Sequence, residues 1–198
     1  STVRDGVHSG SASGIVVSSF RVARELLDRL EDAKTGDILL PELNVDIPED
    51  IVAKARATAE VLGPAVRTKF PVHEGVGLWS DDDAQLLLNV SYRPTLSVIG
   101  AEGFPTLQNA GNVLRPRTAL KLSLRLPPGV DPDEAAEVVK RTLETDPPFN
   151  ARVSFEPDHG APGWAAPEFP EWLSSTAQEA SQSFYGKEAL YYGEGGSI

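Results

Sequence analysis

The sequence predicts an α+β fold, a two-layer sandwich of antiparallel sheet with helices on one face. Three observations point there. Residues 118–126 alternate apolar and polar side chains, as a half-buried strand does. Apolar residues recur at helical spacing before and after that strand. The order of signals (strand, helix, insertion, strand, strand, helix, strand) repeats a strand–helix half.

The elements follow in chain order. Thr2 to Val7 reads as a short extended start, and the serines of Ser9-Gly10-Ser11-Ala12-Ser13 suit helix capping. Val16, Phe20, Ala23, Leu27 and Leu30 recur at spacings of four and three, predicting an amphipathic helix to about Asp32, before Lys34-Thr35-Gly36 breaks it. The 37–93 stretch reads as an insertion. Within it Ile47-Pro48-Glu49-Asp50 opens a helix that Gly63-Pro64 ends, and Ser80-Asp81-Asp82-Asp83 opens another. A calcium loop at those aspartates fails, because the alternating oxygen ligands and the later glutamate are missing.

Thr95 to Ile99 is a short β-prone run. Leu120, Leu122, Leu124 and Leu126 share one face of the 118–126 strand, with Lys121, Ser123 and Arg125 on the other. Pro127-Pro128-Gly129 turns the chain. Asp131-Pro132-Asp133-Glu134 then combines an N-cap, a first-turn proline and an acid three residues after the cap. Ala135, Val138, Val139, Thr142 and Leu143 form that helix's buried stripe, and Ala151 to Phe155 reads as a closing strand. This is a ferredoxin-like, split βαβ arrangement, and its open sheet edge is a natural dimerisation surface. Four prolines between 157 and 170 mark a crossing segment, followed by a helix over about 168–184 and an extended 189–192. The chain therefore divides at 1–157 and 158–198, and the second piece is too short to bury a core of its own.

Composition excludes several classes of function. Eighteen basic against 29 acidic residues leave a net charge of −11, which repels a phosphate backbone and makes nucleic acid an unsuitable partner. No apolar run approaches the roughly 20 residues needed to span a bilayer, so no membrane partner is expected. With no cysteine, disulfides and thiolate chemistry are excluded, consistent with a cytoplasmic location. No methionine occurs and the chain stops after a glycine-rich turn, so both ends read as cuts in a longer protein. The only histidines are His8, His73 and His159, none in a His-x-Asp or His-Glu-x-x-His spacing. No Glu-Glu pair, Gly-x-Ser-x-Gly or P-loop is present. The segment carries no self-sufficient active site, and no metal ligand set is assigned within it.

A set of short motifs in a fixed order adds to this. Asp5-Gly6-Val7-His8-Ser9-Gly10 leads into a helix; Pro94 to Gly103 reads Pro-Thr-Leu-Ser-Val-Ile-Gly-Ala-Glu-Gly; Asn112-Val113-Leu114-Arg115-Pro116-Arg117 precedes Leu124-Arg125-Leu126-Pro127-Pro128; Gly163-Trp164 follows; Glu194-Gly195-Gly196-Ser197-Ile198 closes. The chain resembles the lid, or dimerisation, domain of the carnosinase and cytosolic non-specific dipeptidase family, followed by an incomplete segment of the catalytic domain.

The resemblance implies a metallodipeptidase with two zinc ions, acting on dipeptides as a homodimer joined through its lids. Its metal ligands would lie outside this segment, which would be inactive alone. His8 would reach the partner subunit's active site and stabilise the developing oxyanion. Arg117 would grip the substrate carboxylate, with Arg115 as its competitor in register, and Asn112 would lie near the substrate. Glu194 would meet the free amino group, and Gly195, Gly196 and Ser197 would form a backbone nest for the carboxylate. His73 and His159 read as surface or structural residues, and Trp79, Trp164 and Trp172 as core or interface packing. Two alternatives stay open: the lid of an amidohydrolase acting on N-acyl amino acids, and a non-enzymatic ferredoxin-like binding dimer.

Overall fold

Local sequence codes set most helices. In the computed structural model, which describes residues 1–193, the Asp131 carboxylate accepts hydrogen bonds from the Asp133 and Glu134 N–H groups at 2.9 and 3.0 Å. It thereby caps a helix over Pro132–Glu144. Asp82 does the same for Asp83–Ser91, accepting from Ala84 and Gln85. Glu49–Leu62 begins after Pro48 and stops at Gly63, whose φ of 51° lies in the region glycine tolerates. The described helices are α1 (Ser9–Ala12), α2 (Ser19–Leu27), α3 (Glu49–Leu62), α4 (Ala65–Thr68), α5 (Asp83–Ser91), α6 (Pro132–Glu144) and α7 (Glu171–Tyr185), with short 3₁₀ turns at Pro41–Leu43, Leu107–Asn109 and Pro148–Asn150.

The described strands are β1 (Val7–His8), β2 (Thr95–Glu102), β3 (Val113–Leu114) and β4 (Ala119–Arg125). They form two antiparallel ladders, β1 with β3 and β2 with β4. β4 keeps the alternation read from sequence, its leucines half-buried and Lys121 and Arg125 exposed. β2 runs three residues past Ile99, with an irregularity in pairing between Val98 and Gly100. The fold is α+β, as expected.

Four finer expectations are corrected. Ala151 to Phe155 is not a regular strand. Its pairing is with Ser1, through Ser1 N–H to Arg152 O at 2.7 Å and Arg152 N–H to Ser1 O at 3.0 Å. A strand exists only where a neighbour supplies a ladder, and this segment meets one residue's worth. The serines of 9–13 do not cap the long helix: they fall in and just after α1, Gly14 at φ 89° follows, Ser18 caps α2, and α2 ends at Leu27, short of Asp32.

The buried stripe of α2 is Ser19, Val22 and Leu26, continued by Leu30, while Phe20 stays half-exposed against the edge of Phe104. Both stripes satisfy helical spacing. Ser19 is buried at no polar cost because its hydroxyl donates to Arg115 O at 3.0 Å and lies 2.9 Å from Thr118 Oγ1. Finally, Trp79, Trp164 and Trp172 are all exposed, so none packs a core among the described residues.

Two compact units result. One comprises Ser1–Asn44, Pro94–Leu126 and Val130–Pro162; the other comprises Val45–Arg93, Pro127–Gly129 and the chain from Gly163 onward. The first buries Val22, Leu26, Leu30, Leu43, Val139 and Leu143. In the second, Ala55 and Ala59 of α3 pack with Val66, Leu87 and Leu88 of α4 and α5.

Candidate functional site

Every described candidate residue lies in the first unit, on or beside the β1–β3 ladder. β1 pairs Val7 with Leu114 and His8 with Val113, and the Ser9 N–H donates to Asn112 O at 2.8 Å. That register brings His8 and Asn112, far apart in sequence, to one end of the ladder. The close approach needs Gly6, since a Cβ there would lie 2.8 Å from Val113 Cγ1.

His8 caps α1. Its Nδ1 accepts a hydrogen bond from the Gly10 N–H at 3.1 Å. In neutral imidazole an accepting Nδ1 leaves the proton on Nε2. The ring is exposed, so an N–H donor faces outward from a fixed base. A Cβ on Gly10 would sit 2.9 Å from His8 Cε1, so glycine is what lets the ring lie over the first turn.

At the other end of the ladder, Thr2 N–H donates to Pro116 O at 3.0 Å. Here Arg115 directs Nε to Gly103 O at 3.0 Å, and Arg117 Nη2 lies 3.5 Å from Glu102 Oε2. Gly103 has a φ of 94°, and a Cβ there would collide with the Arg117 carbonyl oxygen. Arg115 and Arg117 line an open recess of about 310 Å³ together with Arg4. Arg4 had no motif to announce it. Its one signal was a lone arginine ahead of His8 in an acidic chain. Arg125, exposed at the end of β4 opposite Thr95, is a further guanidinium of this unit.

His73 and His159 are exposed surface residues. Among the described residues no three His, Asp or Glu side chains gather as a metal ion requires. The described side chains thus do not by themselves form a zinc site. Among those residues, too, no helix is long and apolar enough to cross a membrane. Glu194, Gly195, Gly196 and Ser197 lie outside the described residues.

Residues 3–150 match the family model of the M20 peptidase dimerisation domain. The chain belongs to that family. The peptidase dimerisation domain here runs from the lead-in to β1 through the 3₁₀ turn after α6, with α7 beyond it.

Among curated proteins, the chain is 24% identical over 204 residues to the Cys-Gly metallodipeptidase DUG1 of Saccharomyces cerevisiae, covering 97% of this chain and 40% of the relative. Among solved structures it resembles the yeast di-peptidase Dug1p with a TM-score of 0.71 at 24% identity, covering 100% of this chain and 41% of that one. Human carnosine dipeptidase 1 gives 0.69 at 22%, covering 100% and 42%. The M20 family metallo-carboxypeptidase Sso-CP2 of Sulfolobus solfataricus gives 0.67 at 19%, covering 98% and 43%. The chain spans about two fifths of the length of these relatives.

Proposed function

We propose that the chain is the lid and dimerisation part of a metal-dependent dipeptidase, acting as a homodimer in which His8 of one protomer serves the active site of the other. The observation that carries the reading is the His8–Gly10 cap within a matched peptidase dimerisation domain. An outward Nε2–H on a ring held at its other nitrogen is a preorganised donor. Such a donor stabilises the oxygen of a scissile carbonyl as negative charge develops there, and costs no reorganisation during the reaction.

Asn112 shares the same end of the ladder and would contact substrate beside the imidazole. Arg117 would take the carboxylate, which requires its fork to exchange Glu102 for substrate; Arg115, whose Nε is engaged by Gly103, is the alternative. Glu194 would meet the substrate's amino group, with Gly195, Gly196 and Ser197 around its carboxylate. Residues 1–157 would be the lid and 158–198 a strip of the catalytic domain. The zinc ligands and the general base would come from polypeptide outside this segment, leaving the segment inactive by itself, and the setting would be cytoplasmic.

Complementation between subunits tests this. In the parent enzyme His8→Ala should lower kcat about 10²–10³-fold. Mixing that variant with one lacking a metal ligand should restore activity, because a heterodimer holds one site with both an intact cage and the other subunit's His8. A mixture no more active than its parts refutes action across the dimer.

A further inference from the structure

The recess bounded by Arg4, Arg115 and Arg117 is more cationic than a single carboxylate needs. The chain carries a net charge of −11, yet Arg4, Arg115 and Arg117 all line one open concavity of about 310 Å³. One carboxylate, Glu102, faces Arg117 at 3.5 Å. Arg115 spends only Nε, on Gly103 O, so its Nη1 and Nη2 remain as a fork held in place from behind. Arg4 is exposed and forms no ion pair with a carboxylate among the described residues. Among the described residues, after Glu102 is counted against Arg117, two positive charges are uncompensated.

The backbone is shaped to the same end. Gly103, at φ 94°, brings its carbonyl against Arg115 while lying against the Arg117 backbone, an approach no other residue type permits.

We propose that this recess binds a compact dianionic oxyanion of the phosphate type, gripped by the Arg115 fork and flanked by Arg4 and Arg117. Planar forks match tetrahedral oxyanions two oxygens at a time, and a double charge is what two unpaired guanidiniums neutralise. The site shares Arg117 with the proposed substrate contact but does not depend on peptidase activity. The test below uses binding to the 198-residue chain alone, so its outcome is separate from that reading.

Inorganic phosphate is titrated calorimetrically into the chain at pH 8 and low ionic strength, with chloride as monoanion control and succinate as dicarboxylate. A single site for phosphate, weakened by added salt and stronger than for chloride or succinate, is expected. Arg115→Ala and Arg4→Ala should each weaken it at least tenfold. Glu102→Gln should tighten it several-fold, because the competing carboxylate is gone. That gain in affinity is something a merely structural Glu102 would not give. Arg4→Ala breaks no hydrogen bond among the described residues, so it keeps the test decisive if Arg115→Ala unfolds. Absence of phosphate binding, equal affinity for chloride, tighter succinate binding, or affinity unchanged by Arg4→Ala and Glu102→Gln would each overturn the proposal.

Discussion

Replacing Gly10 with alanine should leave the protein folded while releasing the imidazole of His8. A Cβ at position 10 would lie 2.9 Å from His8 Cε1 and 3.1 Å from Nδ1. Carbon–carbon contacts settle at about 3.5–4.0 Å, so the ring must retreat by about 0.5 Å or more. The Gly10 N–H to Nδ1 bond, already 3.1 Å, then opens. Losing such a cap costs about 1 kcal/mol. Exchanging glycine for alanine inside a helical turn returns about 1 kcal/mol. The two nearly cancel, so the unfolding midpoint should hardly move.

The tautomer should change instead. The bond to Nδ1 favours the Nε2–H form, and removing about 1 kcal/mol of bias shifts the tautomer ratio about fivefold. Nitrogen-15 NMR of the imidazole at alkaline pH reads this directly. The wild type should show a protonated Nε2 and a bare Nδ1, and the variant a mixture. Under the proposed function, the same variant in the full-length protein should lose part of the 10²–10³-fold effect proposed for His8→Ala. A wild-type ring with its proton on Nδ1, or a variant with an unchanged ratio, would refute the argument that Gly10 fixes the donor.

The remaining predictions concern stability. Arg29 donates to Thr142 O, Thr145 O and Asp146 O at 3.1, 2.8 and 2.6 Å, closing the C-terminal end of α6. Arg29→Ala should cost about 2 kcal/mol in urea unfolding, and Arg29→Lys should not restore it, because an ammonium lacks the fork that spans three carbonyls. Leu43 is 0% exposed, so Leu43→Ala should cost about 2–5 kcal/mol, read as a lowered urea midpoint.

Asp32 titrates below the usual carboxylate range, chiefly because the Lys34 and Thr35 N–H groups donate to it. A depressed folded-state pKa stabilises above the unfolded value of about 4, and that stabilisation is lost as pH falls through the folded value. Asp32→Asn should therefore flatten thermal stability below about pH 4 while changing its slope little near neutrality. The neighbouring Glu31, raised by burial and then by Asp28, has the opposite sign and serves as the contrast.

Sequence by itself determined what short-range chemistry determines. The caps at Asp82 and Asp131, the stop at Gly63, and the alternation of β4 each involve groups a few residues apart, so they survive without knowledge of the rest of the chain. The candidate status of His8, Asn112, Arg115 and Arg117 was legible too, but through an ordered set of motifs. No single residue pattern carried it.

Tertiary structure decided which of two valid stripes on α2 faces inward, because only packing supplies partners for the Ser19 hydroxyl. It decided that 151–155 meets Ser1 in place of a full strand, and that His8 lies beside Asn112. It also drew Arg4 to the rim shared by Arg115 and Arg117. All of these are pairings between distant segments. Strand register and charge convergence depend on closing long loops against chain entropy, and a local window of sequence contains neither partner nor closure.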